Sequence, residues 1–247
     1  MNEILKISEL SFFYPSGVQA LRQVNLSVSA GEKVAFVGAN GAGKSTLLLH
    51  LNGILRGEGE VRVCGENVSR GNLNSVRAAV GVVFQDPDDQ LFSPTVLDDV
   101  AFGPLYMGLP KQDVDSRAHR ALEQVGMEKM AERPPHNMSL GEKKRAAIAT
   151  VLAMSPQILA LDEPTSALDA RSRRRIVGIL KDLPQTVIVA THDMALVAEI
   201  AARTIVLDEG EVVADMATED ILTEKGFLEE HGLEIPRLVL PGDRVKS

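Results

Sequence analysis

The stretch Lys33-Val34-Ala35-Phe36-Val37 runs directly into Gly38-Ala39-Asn40-Gly41-Ala42-Gly43-Lys44-Ser45-Thr46, and Leu47, Leu48, Leu51 and Leu55 follow at helical spacing. A short apolar run, a glycine-rich turn closing on Lys-Ser and a periodic helix together form the strand-loop-helix pattern of a phosphate-binding loop. The glycines let the backbone wrap closely round a phosphate with successive N–H groups pointing inward. The helix N-terminus adds roughly half a positive charge. In this reading Gly38, Ala39, Asn40, Gly41, Ala42 and Gly43 supply the cradle, and Lys44 reaches the β and γ phosphates. Ser45, with Thr46 beside it, offers a hydroxyl to Mg²⁺. An ordinary glycine-rich strand-to-helix turn needs neither Lys nor Ser at these places.

A second element agrees with the first. Ile158-Leu159-Ala160-Leu161 is an apolar run that ends in Asp162-Glu163. An ion held by Ser45 needs an anionic outer partner, which Asp162 can supply. Hydrolysis of a nucleotide needs a base for the attacking water, which Glu163 can supply; such a base contributes typically ~10² to 10⁴ in rate. The chain therefore reads as a phosphate-loop nucleotidase. It carries no Asn-Lys-x-Asp or Thr-Lys-x-Asp motif for reading guanine, which disfavours a GTPase.

Outward from these motifs, short β-rich runs recur at 4–13, 61–64, 79–84, 187–190 and 204–207. Helical periods lie between them at Ile148, Val151 and Leu152, at Ile176, Val177, Leu180 and Leu183, and at Leu196, Val197 and Ile200. Continuously apolar strands alternating with helices imply a parallel sheet covered on both faces. Polar alternation around Leu5 to Phe12 and Leu21 to Val28 implies antiparallel strands with one solvated face. The expected fold is thus α/β, a phosphate-loop core with a mixed sheet, an N-terminal antiparallel β-subdomain and an inserted α-helical subdomain. The 247 residues make one domain, with the core at 1–86 and 156–225, the helical lobe at 87–155 and a tail at 226–247 in which the pattern thins around Gly232, Pro236, Pro241 and Gly242.

Composition excludes several classes. Twenty-six basic against 34 acidic side chains leave a net charge of −8, and the basic runs Lys143 to Arg145 and Arg173 to Arg175 are short and balanced by acids, so no nucleic-acid partner is expected. A spanning helix needs about 18 or more apolar residues. The longest such stretch, Ala146 to Met154, has nine and contains Thr150, so no direct membrane insertion is expected. MNEILKISEL carries no secretory pattern, so a cytoplasmic location is expected. The single cysteine, Cys64, is expected as a buried strand residue, and His50, His119, His136, His192 and His231 show no ligand spacing for a transported metal.

Further motifs stand in order: Met138-Ser139-Leu140-Gly141-Glu142-Lys143-Lys144-Arg145, then Asp162-Glu163-Pro164-Thr165-Ser166-Ala167-Leu168-Asp169, then Thr191-His192-Asp193. With these the sequence resembles the ATP-binding cassette (ABC) ATPases over about residues 4–220. The resemblance implies ATP and Mg²⁺ as cofactors and a role for each matching residue. Tyr14, in Phe13-Tyr14-Pro15, stands where the family stacks an aromatic on adenine. Gln85 matches the glutamine that touches the metal and the attacking water and links the core to the helical lobe. Ser139 and Gly141 match the signature that grips the γ-phosphate, and Asp169 matches a subunit-contacting aspartate. His192 matches the histidine that hydrogen-bonds the γ-phosphate. Leu140 departs from the usual glycine of the signature, placing a side chain where the backbone approaches the nucleotide.

In this family the signature of one subunit closes over the phosphate loop of another, which implies a head-to-tail pair with two ATP molecules between the chains. Both motif sets are present here, favouring a homodimer. The run from Gln85 to Pro104 and the Gly141-to-Arg145 segment are similar to the ATPases of energy-coupling factor importers, which take up cobalt, nickel or vitamins. Those importers use a transmembrane coupling protein and a membrane substrate-binding protein. The short tail fits the cobalt and nickel systems, so the chain is expected on the cytoplasmic face of the cell membrane, held there by its partners. A vitamin-type importer is the alternative, and a soluble ABC ATPase acting on ribosomes or DNA is the alternative of a different class. Leu91, Phe92, Val96 and Phe102 either line a groove for a coupling helix or form the core of the helical lobe.

Overall fold

The structure is a computed structural model that describes residues 2–234. In chain order it contains β1 (Glu3–Phe13), β2 (Gln19–Ser29), β3 (Lys33–Val37), α1 (Lys44–Leu51), β4 (Glu58–Val63), β5 (Glu66–Asn67), α2 (Leu73–Ala79) and β6 (Val80–Val83). The helices α3 (Val96–Tyr106), α4 (Lys111–Gln124) and α5 (Leu140–Leu152) follow without an intervening strand. Then come β7 (Ile158–Asp162), α6 (Ala170–Asp182), β8 (Thr186–Thr191), α7 (Met194–Ile200), β9 (Arg203–Asp208), β10 (Glu211–Ala217), α8 (Thr218–Ile221) and α9 (Lys225–Glu230).

Two sheets result. An antiparallel one runs β2-β1-β4-β5, and a six-stranded one runs β10-β9-β3-β8-β7-β6. The second sheet is mixed: β9, β3, β8, β7 and β6 are parallel, and β10 folds back antiparallel on β9. This is the expected α/β architecture with an N-terminal antiparallel sheet. The unbroken apolar runs of the parallel strands have a direct cause. Along β7, Ile158 and Ala160 face one core and Leu159 and Leu161 the opposite one. β8 alternates in the same way, with Ile188 and Ala190 on the first side and Val187 and Val189 on the second. The first core fills the space between the two sheets and buries α1; the second lies under α3, α4, α5 and α6.

One sequence expectation is corrected. Cys64 is neither buried nor in a strand: it is exposed with φ 50°. Val63 pairs with Glu66, so Cys64 and Gly65 (φ 84°) form a two-residue hairpin loop, the connection that requires positive φ at both positions. Past 225, where the sequence pattern thins, the chain forms a further helix. α9 docks, burying Leu228, and Leu233 beyond it is buried too, against Ala35, Val37 and Val206. Residues 235–247, with Pro236, Pro241 and Gly242, lie outside the described residues. Among the described residues no helix is long and apolar enough to cross a membrane.

Candidate active site

Three adjacent strands of the parallel sheet, β3, β8 and β7, deliver the candidate residues at their carboxyl ends, where ligands of such sheets bind. Val37 is in register with Thr191, and Asp162 with Ala190. The loop after β3, Thr191-His192 after β8 and Asp162-Glu163 at β7 therefore emerge side by side. They form a cleft of about 480 Å³ lined by Tyr14, Asn40, Gly41, Gly43, Lys44, Ser45, Thr46, Gln85, Asp162, Glu163 and His192, with Val18, Gln19 and Ala20 at its rim. Gly38, Ala39 and Ala42 lie outside that lining. A groove of about 550 Å³ across β1, β2 and β10 holds none of the motif residues.

α1 starts at Lys44 because Gly43, with φ 102°, turns the chain into it. A Cβ on Gly43 would sit 2.7 Å from the Ala20 carbonyl oxygen, so glycine is required by both conformation and space. The Lys44 side chain is buried and folds back over the loop, its Nζ donating to the carbonyls of Gly38 (2.7 Å) and Ala39 (2.9 Å). Burial pushes its pKa down, and the carboxylates of Glu163 and Asp162 oppose that shift. Thr46 Oγ1 lies 2.9 Å from the Tyr14 hydroxyl, and Tyr14 packs edge-on against Phe12 at 5.0 Å, which fixes the ring at the mouth of the cleft.

The two carboxylates differ. Asp162 Oδ1 is buried without a hydrogen-bond partner. Burial pushes the Asp162 carboxyl pKa up, and a hydrogen bond from Ser45 partly offsets this. Glu163 is fully engaged: Oε2 accepts from Thr191 Oγ1 (2.9 Å), and Oε1 accepts from the His192 amide (3.0 Å) and lies 2.6 Å from His192 Nδ1. Its backbone sits at φ 43°, a left-handed conformation of the kind that costs a non-glycine residue about 1–3 kcal/mol. The surroundings hold it there: its amide donates to the Ala190 carbonyl at 2.9 Å. The His192 side chain is 55% exposed, so the ring itself is open to the cleft.

The structure does not bring the signature residues into this cleft. Ser139 caps α5 in a closed capping box with Glu142, whose Oε2 accepts from the Ser139 amide (2.9 Å) and hydroxyl (2.8 Å). Those bonds, the amide first, hold the Glu142 carboxyl below its ordinary range. Gly141 abuts α6: a Cβ there would meet Ser172 Oγ at 2.5 Å. Asp169 caps α6, accepting from the amides of Arg171 (2.8 Å) and Ser172 (3.0 Å) and from the Ser172 hydroxyl (2.8 Å). Leu140 is 38% exposed at the start of α5 and borders a second hollow that also holds Gln85 and Asp162.

Gln85 is exposed and lines both cavities. One side chain that ties this segment to α5 is Gln90, which sequence reasoning missed. Its Oε1 accepts from the Phe84 amide (3.2 Å), and its Nε2 donates to the Ala147 carbonyl (2.9 Å) and Thr150 Oγ1 (2.7 Å). Thr191 was visible in Thr-His-Asp but carried no expected role. The basic run at 143–145 is not a surface patch. Lys143 pairs with Asp88 (2.6 Å), and Lys144 and Arg145 are buried on protein oxygens. Of the four apolar residues beyond Gln85, Leu91 and Val96 belong to the core. Phe92 (68%) and Phe102 (49%) are exposed and meet edge-on at 5.1 Å, with Tyr106 stacked on Phe102 at 6.5 Å.

Comparison with known proteins places this geometry. A family profile described as ABC transporter matches residues 21–166. The energy-coupling factor transporter ATP-binding protein EcfA of Carboxydothermus hydrogenoformans is 48% identical over 243 residues, covering 97% of this chain and 90% of that one. The structure of cbiO1 from Clostridium perfringens, described as part of the ABC transporter complex cbiONQ, superposes with a TM-score of 0.82 at 39% identity, covering 96% of this chain and 97% of that one. An ATP-binding cassette solved as a dimer in a post-hydrolysis state with ADP and phosphate has a TM-score of 0.79 at 30% identity, covering 87% and 99% of the two chains.

Proposed function

The chain belongs to the ABC transporter family as one of its ATPases, and from that premise we propose that it is the ATP-hydrolysing subunit of an energy-coupling factor importer, driving uptake of a transition-metal ion, cobalt or nickel. One observation carries the reading. Lys44, Ser45, Asp162, Glu163 and His192 share a single cleft, whereas Ser139, Gly141 and Asp169 lie outside it. A site complete on one side and lacking its signature on the other needs a second chain. The likeness to a cassette solved as a dimer with ADP and phosphate supports a head-to-tail homodimer. The domain is one unit, with its core at 1–86 and 156–225 and a helical lobe at 87–155.

ATP is the substrate. The amides of Asn40, Gly41 and Gly43 and the Lys44 side chain hold its phosphates, and Tyr14 offers a face to the adenine. Ser45, Asp162 and Gln85 present hydroxyl, carboxylate and amide oxygens, the donors a hard divalent cation takes, and the unpartnered Asp162 Oδ1 is an atom left for such an ion. An ion held by these residues would supply charge neutralisation as negative charge develops on the phosphates. Glu163 orients the attacking water and takes its proton as oxygen bonds to the γ-phosphorus and the bond to the bridging oxygen breaks, leaving ADP and phosphate. With Nδ1 of His192 against Glu163, Nε2 remains for the γ-phosphate.

Coupling falls to the exposed Phe92, Phe102 and Tyr106, which follow Gln85 in the chain and form an apolar surface suited to a helix of a membrane partner. The chain thus works on the cytoplasmic face of the membrane through a coupling protein and a substrate-binding protein. The metal solute draws support from the likeness to cbiO1; a vitamin is the second reading, favoured by relatives that carry the general energy-coupling factor name. The test is uptake of radiolabelled cobalt or nickel in cells carrying the chain and the membrane proteins that co-purify with it. Phe92→Asp should abolish uptake and spare nucleotide binding. Absence of membrane partners would refute the importer, and uptake of a vitamin instead would replace the solute.

A further inference from the structure

Lys144 is an oddity for a cation. It is 4% exposed, and its Nζ donates to the Glu163 carbonyl (2.6 Å) and to Ser166 Oγ (2.9 Å). Ser166 in turn donates to the same carbonyl through its hydroxyl (3.0 Å) and its amide (3.2 Å). Burying an ammonium group on neutral partners is expensive, and hydrophobic packing would serve stability better. The carboxylates of Glu163 and Asp162 help to hold its charge against the burial that lowers its pKa. Three donors thus converge on one peptide oxygen, and that peptide belongs to the residue held at φ 43°. The longest reach comes from α5, the helix whose N-terminus bears Ser139 and Gly141.

We propose that Lys144 is a positioning residue for hydrolysis: by clamping the Glu163 peptide from α5, it holds the Glu163 carboxylate where water is activated. The proposal rests on the reading above that Glu163 is the base. A mobile peptide here would leave ATP bound and the water misaligned, so the defect belongs in kcat rather than in binding.

The experiment compares full-length Lys144→Met and Lys144→Arg with the wild-type chain in ATP turnover, fluorescent ATP-analogue binding with Mg²⁺ and thermal unfolding. Met keeps an unbranched apolar stem as far as Cε and lacks the donor. Lys144→Met should lower kcat about tenfold or more, with KM changed by less than about twofold, and Lys144→Arg should recover part of the loss. In a Glu163→Gln background the same substitution should change the residual turnover by less than about twofold, because the group it positions is already gone. An unchanged kcat, a parallel loss of binding, or an undiminished effect in the Glu163→Gln background would overturn the proposal. Should Lys144→Met not fold, Ser166→Ala removes the second leg of the clamp, and an unchanged kcat there is equally fatal. Glu163→Gln alone separates the two levels: wild-type turnover in it sinks the assignment of the base, and Lys144 with it. Lost turnover in Glu163→Gln beside normal turnover in Lys144→Met sinks Lys144 only.

Discussion

Replacing Gly141 with alanine separates two reasons for a glycine in the signature. One is close approach of the backbone to a nucleotide; the other is packing inside a single chain. A Cβ at Gly141 would lie 2.5 Å from Ser172 Oγ and 2.6 Å from Ser172 Cβ. The hydroxyl does not swing away freely, since it donates to Asp169 Oδ2 at 2.8 Å, and the Ser172 Cβ moves only with α6. Helices α5 and α6 must therefore shift apart, an overpacking cost of about 1–3 kcal/mol. The better helix propensity of alanine returns at most about 1 kcal/mol, leaving a net loss of about 0–2 kcal/mol, centred on about 1 kcal/mol. For a chain of 247 residues, where 1 kcal/mol moves Tm by about 2–4 °C, the central expectation is a fall of about 2–4 °C and the largest about 8 °C. Far-UV circular dichroism is the suitable probe, as the chain has no tryptophan. Ser172→Gly removes both clashing atoms, so the fall caused by Gly141→Ala should shrink when both changes are combined. A raised Tm for Gly141→Ala, or strict additivity in the double variant, would refute the packing argument and leave nucleotide approach as the reason for the glycine.

Thr191→Val removes the O–H that reaches Glu163 Oε2 at 2.9 Å while keeping the shape of a fully buried side chain. A hydrogen bond to a charged group contributes about 1.5–3 kcal/mol, so kcat should fall roughly 10- to 150-fold with ATP binding retained; steady-state turnover beside analogue binding checks this, and a normal kcat would remove Thr191 from the site. Glu142 supplies a pH test. Its carboxyl titrates below its ordinary range because the Ser139 amide and hydroxyl favour the charged form, so its stabilisation is present above the ordinary glutamate range and is lost as pH falls through the lower native value. Glu142→Gln should flatten the acid limb of a Tm-against-pH curve; an unaltered limb would mean the capping box is open in solution.

Much of the site was legible in the sequence because its chemistry is encoded at short range. Gly43-Lys44-Ser45 and Asp162-Glu163 each lie within a few residues at the end of an apolar strand, and periodicity placed those strands correctly. The misses involve partners distant in the chain. Gln90 looked like one more polar loop residue until Ala147 and Thr150 appeared beside it. Lys144 and Arg145 read only as part of a short basic run balanced by acids, because sequence records charge and not the carbonyls of Glu163, Val125 and Gly126 that receive it. Cys64 followed apolar neighbours into an expected strand, although Cys64-Gly65 is the turn of a tight hairpin. Among Leu91, Phe92, Val96 and Phe102, size and hydropathy are alike, and only packing separated core from surface.

The sequence by itself determined the phosphate loop, the paired carboxylates, the order of the motifs and with them the ATPase class, because each is a local pattern of residue type and spacing. Tertiary structure alone decided which motifs share a cleft. Parallel pairing of β3, β8 and β7 sets Lys44, His192 and Glu163 together across some 150 residues of chain, whereas α5 carries Ser139 and Gly141 away from them. That separation is a matter of strand order and helix direction, which no spacing in the chain encodes.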